Sequence, residues 1–72
     1  MFIKEVNKCL NMIQKNTTEQ NVNNQIDKLV REFVNDYDAN DKDVKELKKL
    51  KDIKDYNIRR KILSDIVVKY TS

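Results

Sequence analysis

Apolar residues recur along this chain at the spacing of a helix, in four separate blocks. Phe2, Val6, Cys9 and Ile13 follow one another at intervals of four, three and four, and Ile3 and Leu10 widen the stripe, which predicts an amphipathic helix over residues 2–14. Lys4, Glu5, Asn7, Lys8 and Asn11 occupy its other face. Asn16, Thr17 and Thr18 break the pattern, and Thr17 with Gln20 three residues on has the form of a capping box. Val22, Ile26, Leu29, Phe33 and Tyr37, with Val30 and Val34 alongside, define a second helix over 18–37.

Between Tyr37 and Asp43 the periodicity lapses, and Asp38, Asn40 and Asp41 supply the local hydrogen bonding of a turn. Asp43 with Glu46 is placed to cap a third helix over 43–53, in which Val44, Leu47, Leu50 and Ile53 recur every three residues, too fast a drift for a coiled-coil seam. Asp55 offers an N-cap for a fourth helix over 56–70, carrying Ile58, Ile62, Leu63, Ile66, Val67 and Tyr70. The expected architecture is all-α, a bundle of three to four short helices forming a single domain over residues 1–72.

Composition narrows this picture. The 72 residues include no glycine and no proline, and 38% of them are charged, so tight-turned β folds are disfavoured and Asn, Asp and Thr must end the helices. With 39% apolar residues a chain this short builds one modest core, which makes a homodimer an expectation as a further source of buried area. A single cysteine cannot close an internal disulfide and suits a reducing, cytoplasmic setting. The apolar run Ile66-Val67-Val68 is far too short for a membrane span.

Candidate chemistry is sparse. Cys9 lies in register with the buried stripe of the first helix, and without histidine the common base for a nucleophile and the imidazole metal ligands are both missing, so enzyme activity, metal and cofactor are not expected. Asp36, Asp38 and Asn40 open like a calcium loop, but Asp41 stands where the loop needs glycine and Leu47 where it needs glutamate. Asn23 to Val30, following the apolar positions of the first helix, is similar to two-helix aspartyl-phosphate phosphatases that regulate sporulation. That resemblance covers residues 3–33 and places Asp27 at the functional aspartate, with Asn23 where those proteins carry a serine.

Charge is more informative than motif. Residues 41–72 hold ten of the 15 Lys and Arg against six of the 12 Asp and Glu, and the basic residues crowd into 45–61. Lys45, Lys48, Lys49 and Lys51 are expected on the third helix, and Asn57, Arg59, Arg60 and Lys61 at the start of the fourth. Cations at a helix start oppose its dipole, and a bound phosphate would offset that cost. The first functional expectation is therefore a regulatory or accessory protein contacting duplex DNA through these eight residues, the lysines on phosphate and Arg59, Arg60 and Asn57 near base edges. A helix-turn-helix would use the same two helices, although its turn glycine is missing. The alternative is a protein-binding inhibitor, immunity protein or adaptor acting through a helical face.

Overall fold

The four apolar blocks become four helices in a computed structural model that describes residues 1–15 and 17–71. Asn16, part of the break expected after the first helix, lies outside them. The elements are α1 (Phe2–Gln14), α2 (Glu19–Asp36), α3 (Asp41–Lys48) with a 3-10 turn (Lys49–Lys51) behind it, and α4 (Tyr56–Thr71). No helix is long and apolar enough to cross a membrane among the described residues.

Side chains do the work that glycine and proline would do at the helix ends. Thr18 caps α2 by accepting from Asn21 N at 3.3 Å, one residue later than the Thr17 and Gln20 pattern suggested. Asp55 caps α4 as expected, its Oδ1 accepting from Asn57 N at 2.8 Å and Ile58 N at 3.1 Å. The start of α1 has no local cap. Instead Asp36, at the far end of α2, accepts from Phe2 N at 2.8 Å and places a carboxylate at the positive end of that helix.

The third helix departs from expectation at both ends. It begins at Asp41 rather than 43, because Asn40 takes the capping role by accepting from Asp43 N at 2.9 Å and leaves the Asp43 carboxylate to serve elsewhere. It tightens to 3-10 geometry at Lys49, with Asp52 N donating to Lys49 O at 2.9 Å and Ile53 N to Leu50 O at 3.3 Å. The three-residue recurrence of Leu47 and Leu50 explains the change. An α-helical turn would rotate Leu50 off the line of Leu47, whereas three residues per turn keeps both facing inward, and both are fully buried.

The core joins all of these elements. Phe2, Val6 and Cys9 from α1 meet Val22, Ile26, Leu29, Val30 and Phe33 from α2, Leu47 and Leu50 behind them, and Leu63 and Ile66 from α4. Two buried polar groups lock α1 to α2: Gln25 Nε2 donates to Glu5 O at 3.0 Å and to Glu5 Oε2 at 2.6 Å. That amide holds the Glu5 carboxyl below its usual range. At one end of the bundle Phe2, Phe33, Tyr37 and Tyr70 form an aromatic cluster, with Phe33 meeting Phe2 and Tyr70 at centroid distances of 4.8 Å. The end of α4 meets the start of α1 at this cluster, and Arg60 and Leu10 share a groove further along, so α4 runs antiparallel to α1.

The aromatic end is tied by Asp43. Its carboxylate accepts from Tyr70 Oη at 2.5 Å and from Lys69 Nζ at 2.9 Å, joining the start of α3 to the end of α4. The Tyr70 hydroxyl, followed by the Lys69 ammonium, holds the Asp43 carboxyl below its usual range, and the same bonds raise Tyr70 and Lys69 above theirs. Because the folded chain binds this proton less tightly than the unfolded one, the stability from Asp43 is complete above an ordinary aspartate value of about 3.9. It is lost as pH falls through the lower folded value. Urea unfolding followed from pH 7 downward should therefore show a steeper acid loss for the native sequence than for Asp43→Asn, which starts less stable at neutral pH; parallel curves would exclude this tie.

Candidate interaction surface

Eight residues were expected to form one basic surface; the fold leaves six of them exposed, half-buries Lys51 and buries Arg59. Lys45 and Lys48 are exposed on α3. Lys49 is exposed and lies 3.9 Å from Glu46. Lys51, half-buried, turns toward α2 and pairs with Asp27. Asn57, Arg60 and Lys61 are exposed on the first turns of α4, where Lys61 also meets Asp65 at 3.3 Å. The groove between α3 and α4 is lined by Asp43, Glu46 and Asp65 with Ile62, Ile66 and Lys69, so carboxylates stand between the cations of the two helices.

Arg59, expected at the surface, is instead buried, at 2% exposure. Its Nε donates to Leu50 O at 3.1 Å and its Nη2 to Glu19 Oε2 at 3.3 Å. Position explains this, because Arg59 falls four residues before Leu63 and seven before Ile66 on the inward stripe of α4. The same Glu19 oxygen accepts from Lys54 Nζ at 2.9 Å, and these bonds, Lys54 first, hold the Glu19 carboxyl below its usual range. Lys54 also donates to Lys51 O at 3.1 Å. Three cations of the basic stretch are thus paired with carboxylates of α2, Arg59 from a buried position and Lys54 from an exposed one.

The remaining candidates resolve simply. Cys9 is 1% exposed, and burial pushes its thiol up to about 11, so it behaves as a small core residue. Among the suggested calcium-loop residues, Asp36 caps α1 and Asn40 caps α3. Among the described residues no three His, Cys, Asp or Glu side chains are grouped to hold a metal ion. Asp27, the position suggested by the phosphatase resemblance, is the partner of Lys51.

A second surface was not visible in the sequence. On the other flank of α4, Ile3, Val6, Asn7 and Leu10 of α1 and Arg60, Ser64 and Val67 of α4 line a shallow groove. Four apolar side chains line it with one amide, one hydroxyl and one guanidinium, and no carboxylate lines it. Ile3 is 36% exposed there, and Val68, 60% exposed, adjoins Val67 on the same helix. Lys4, Lys8 and Asn11 continue the surface along α1, and Asn57, Lys61 and Asp65 along α4. Finding it required knowing that α1 and α4 are neighbours, which no local pattern encodes; the only signal was that Ile3 and Leu10 widen the apolar stripe of α1 beyond what one neighbouring helix would cover.

Comparison with protein-family models, with curated proteins and with solved structures gives no match for this chain.

The two adjacent arginines should behave oppositely. Arg59→Ala removes the shorter of the two bonds to Leu50 O, leaving only the longer one from Ile53 N, and opens a void, so urea unfolding followed by far-UV circular dichroism should show a loss of about 3 kcal/mol. Arg59→Lys should not restore it, since an ammonium lacks the fork that reaches both partners. Arg60→Ala, on the surface, should change stability by no more than about 0.5 kcal/mol.

Proposed function

We propose that this chain is a non-enzymatic protein-binding module, an inhibitor, immunity protein or adaptor, that meets its partner through the face shared by α1 and α4. One observation carries the reading: the groove is lined by Ile3, Val6, Leu10 and Val67 together with an amide, a hydroxyl and a guanidinium and no carboxylate, and Ile3 in it is 36% exposed. Apolar side chains rimmed by polar ones are the usual make-up of a binding patch, in which the centre supplies affinity and the rim orientation. The buried thiol of Cys9 and the absence of histidine support binding over catalysis.

A second reading, regulatory or accessory binding of duplex DNA, is favoured by the exposure of Lys45, Lys48, Asn57 and Arg60. Its weakness is arrangement. Arg59 is internal, Lys51 and Lys54 are paired with α2, and Glu46 and Asp65 in the groove between α3 and α4 take up Lys49 and Lys61, which leaves fewer cations for a phosphate backbone.

A photo-crosslinking side chain separates the two readings when placed at Ser64 or at Lys48 and activated in the cells that make the protein. Polypeptide adducts at Ser64 that survive nuclease, with none at Lys48, are the expected result. Nuclease-sensitive adducts at Lys48, together with duplex binding at about 50 mM salt that falls steeply as salt rises, would replace the protein-binding reading with the DNA one.

A further inference from the structure

We infer that the α1/α4 groove takes one amphipathic helix carrying carboxylates along its flanks, an inference that rests on the protein-binding reading above and specifies its partner. Shape comes first. Ile3 and Leu10 on α1, and Arg60 and Val67 on α4, each lie seven residues apart, so each wall is about 10.5 Å long, or two helical turns. The walls are antiparallel helices, and a third helix laid between them completes the ridge-and-groove packing that each already makes on its inner side. An extended segment would gain nothing comparable, since two helices offer no free backbone edge to pair with.

The apolar contacts set the register. Ile3 and Val67 lie toward the aromatic end of the bundle, and Leu10 and Arg60 lie toward the Arg59 end, with Asn7 and Ser64 between them. An occupant with apolar residues at i, i+3 or i+4, and i+7 reaches both ends from one face. Its central positions pass over the amide and the hydroxyl, which accept either a small or a polar side chain.

Charge selects the sign of the occupant. Arg60 lies in the groove wall, and Lys4 and Lys8 follow along the outer surface of α1. The nearby acids are already engaged: Glu5 faces inward to Gln25, and Asp65 pairs with Lys61. Across α4 the arrangement inverts, because Asp43, Glu46 and Asp65 line that groove. An acidic helix therefore meets unpaired cations on the α1 side, whereas the carboxylates of the α3 side, already paired with Lys69, Lys49 and Lys61, offer it none. Nucleic acid would satisfy the cations but leave Ile3, Leu10 and Val67 against water, so it is the poorer occupant.

The test uses the full chain and two stapled helical peptides with leucine at i, i+3, i+4 and i+7, one flanked by glutamates and the other by lysines. By fluorescence anisotropy the acidic peptide should bind at least about tenfold more tightly than the basic one, and Arg60→Glu should weaken it at least about tenfold. Amide chemical shifts should move along Ile3 to Leu10 and Arg60 to Val68. Ser64→Trp, which fills the groove from an exposed position, should block binding while leaving the circular dichroism spectrum intact. Equal binding of both peptides, shifts confined to the α3/α4 groove, or no acidic-peptide binding up to about 1 mM would overturn the inference. So would self-association abolished by Arg60→Glu, which would make a second copy the occupant. A polypeptide crosslinked at Ser64 in cells, alongside failure of the acidic peptide, leaves the protein-binding reading standing and rejects only the acidic helix.

Discussion

The guanidinium of Arg59 must find acceptors inside the bundle, and that requirement fixes where three segments meet. An arginine removed from water with a donor unmet costs more than any surface ion pair returns, so α4 can dock only where Leu50 O and Glu19 are both in reach. Leu50 O is positioned by the 3-10 turn behind α3, in which it also accepts from Ile53 N, and Glu19 is in place because α2 starts there, capped by Thr18. The docking of α4 therefore depends on two local events elsewhere in the chain. In turn, the position of α4 creates both of its flanking grooves.

The opposite end of the bundle is held by different means. Four of the five aromatic rings gather there, and the tie between Asp43 and the Tyr70 and Lys69 side chains anchors the last turn of α4 where that cluster forms. One end is thus fixed by a buried cation and the other by ring packing and a carboxylate. A helix held at both ends and left unpaired along its outer face is well suited to present that face, because little ordering remains to be done when a partner arrives.

The helices were largely legible from periodicity, and the surface was not. Apolar spacing placed the helix ends to within about two residues, except that the α-helical part of the third stopped at Lys48 rather than 53 and closed in 3-10 geometry. In hindsight its three-residue recurrence was the sign of that tightening. The basic stretch misled because charge was counted along the chain. The partners of Lys51, Lys54 and Arg59 lie on α2, dozens of residues away, where a one-dimensional tally cannot see them. Arg59 itself did carry a local signal. It occupies the inward stripe with Leu63, Ile66 and Tyr70, a position where a cation is either misplaced or structural. The α1/α4 groove had no equivalent signal, since it exists only through the contact of two helices more than forty residues apart.

The contrast between the two sides of α4 also acts before contact. A cation-bordered groove and a carboxylate-lined groove on either flank of one helix give that part of the molecule a lateral polarity, separate from its net charge of +3. At low ionic strength such a field reaches about 10 Å or more into solvent, far enough to turn an approaching charged body while it is still diffusing. Encounters are then biased toward one flank and away from the other. The effect belongs to the rate of arrival and fades with added salt, whereas the apolar floor of the groove governs how long a visitor stays.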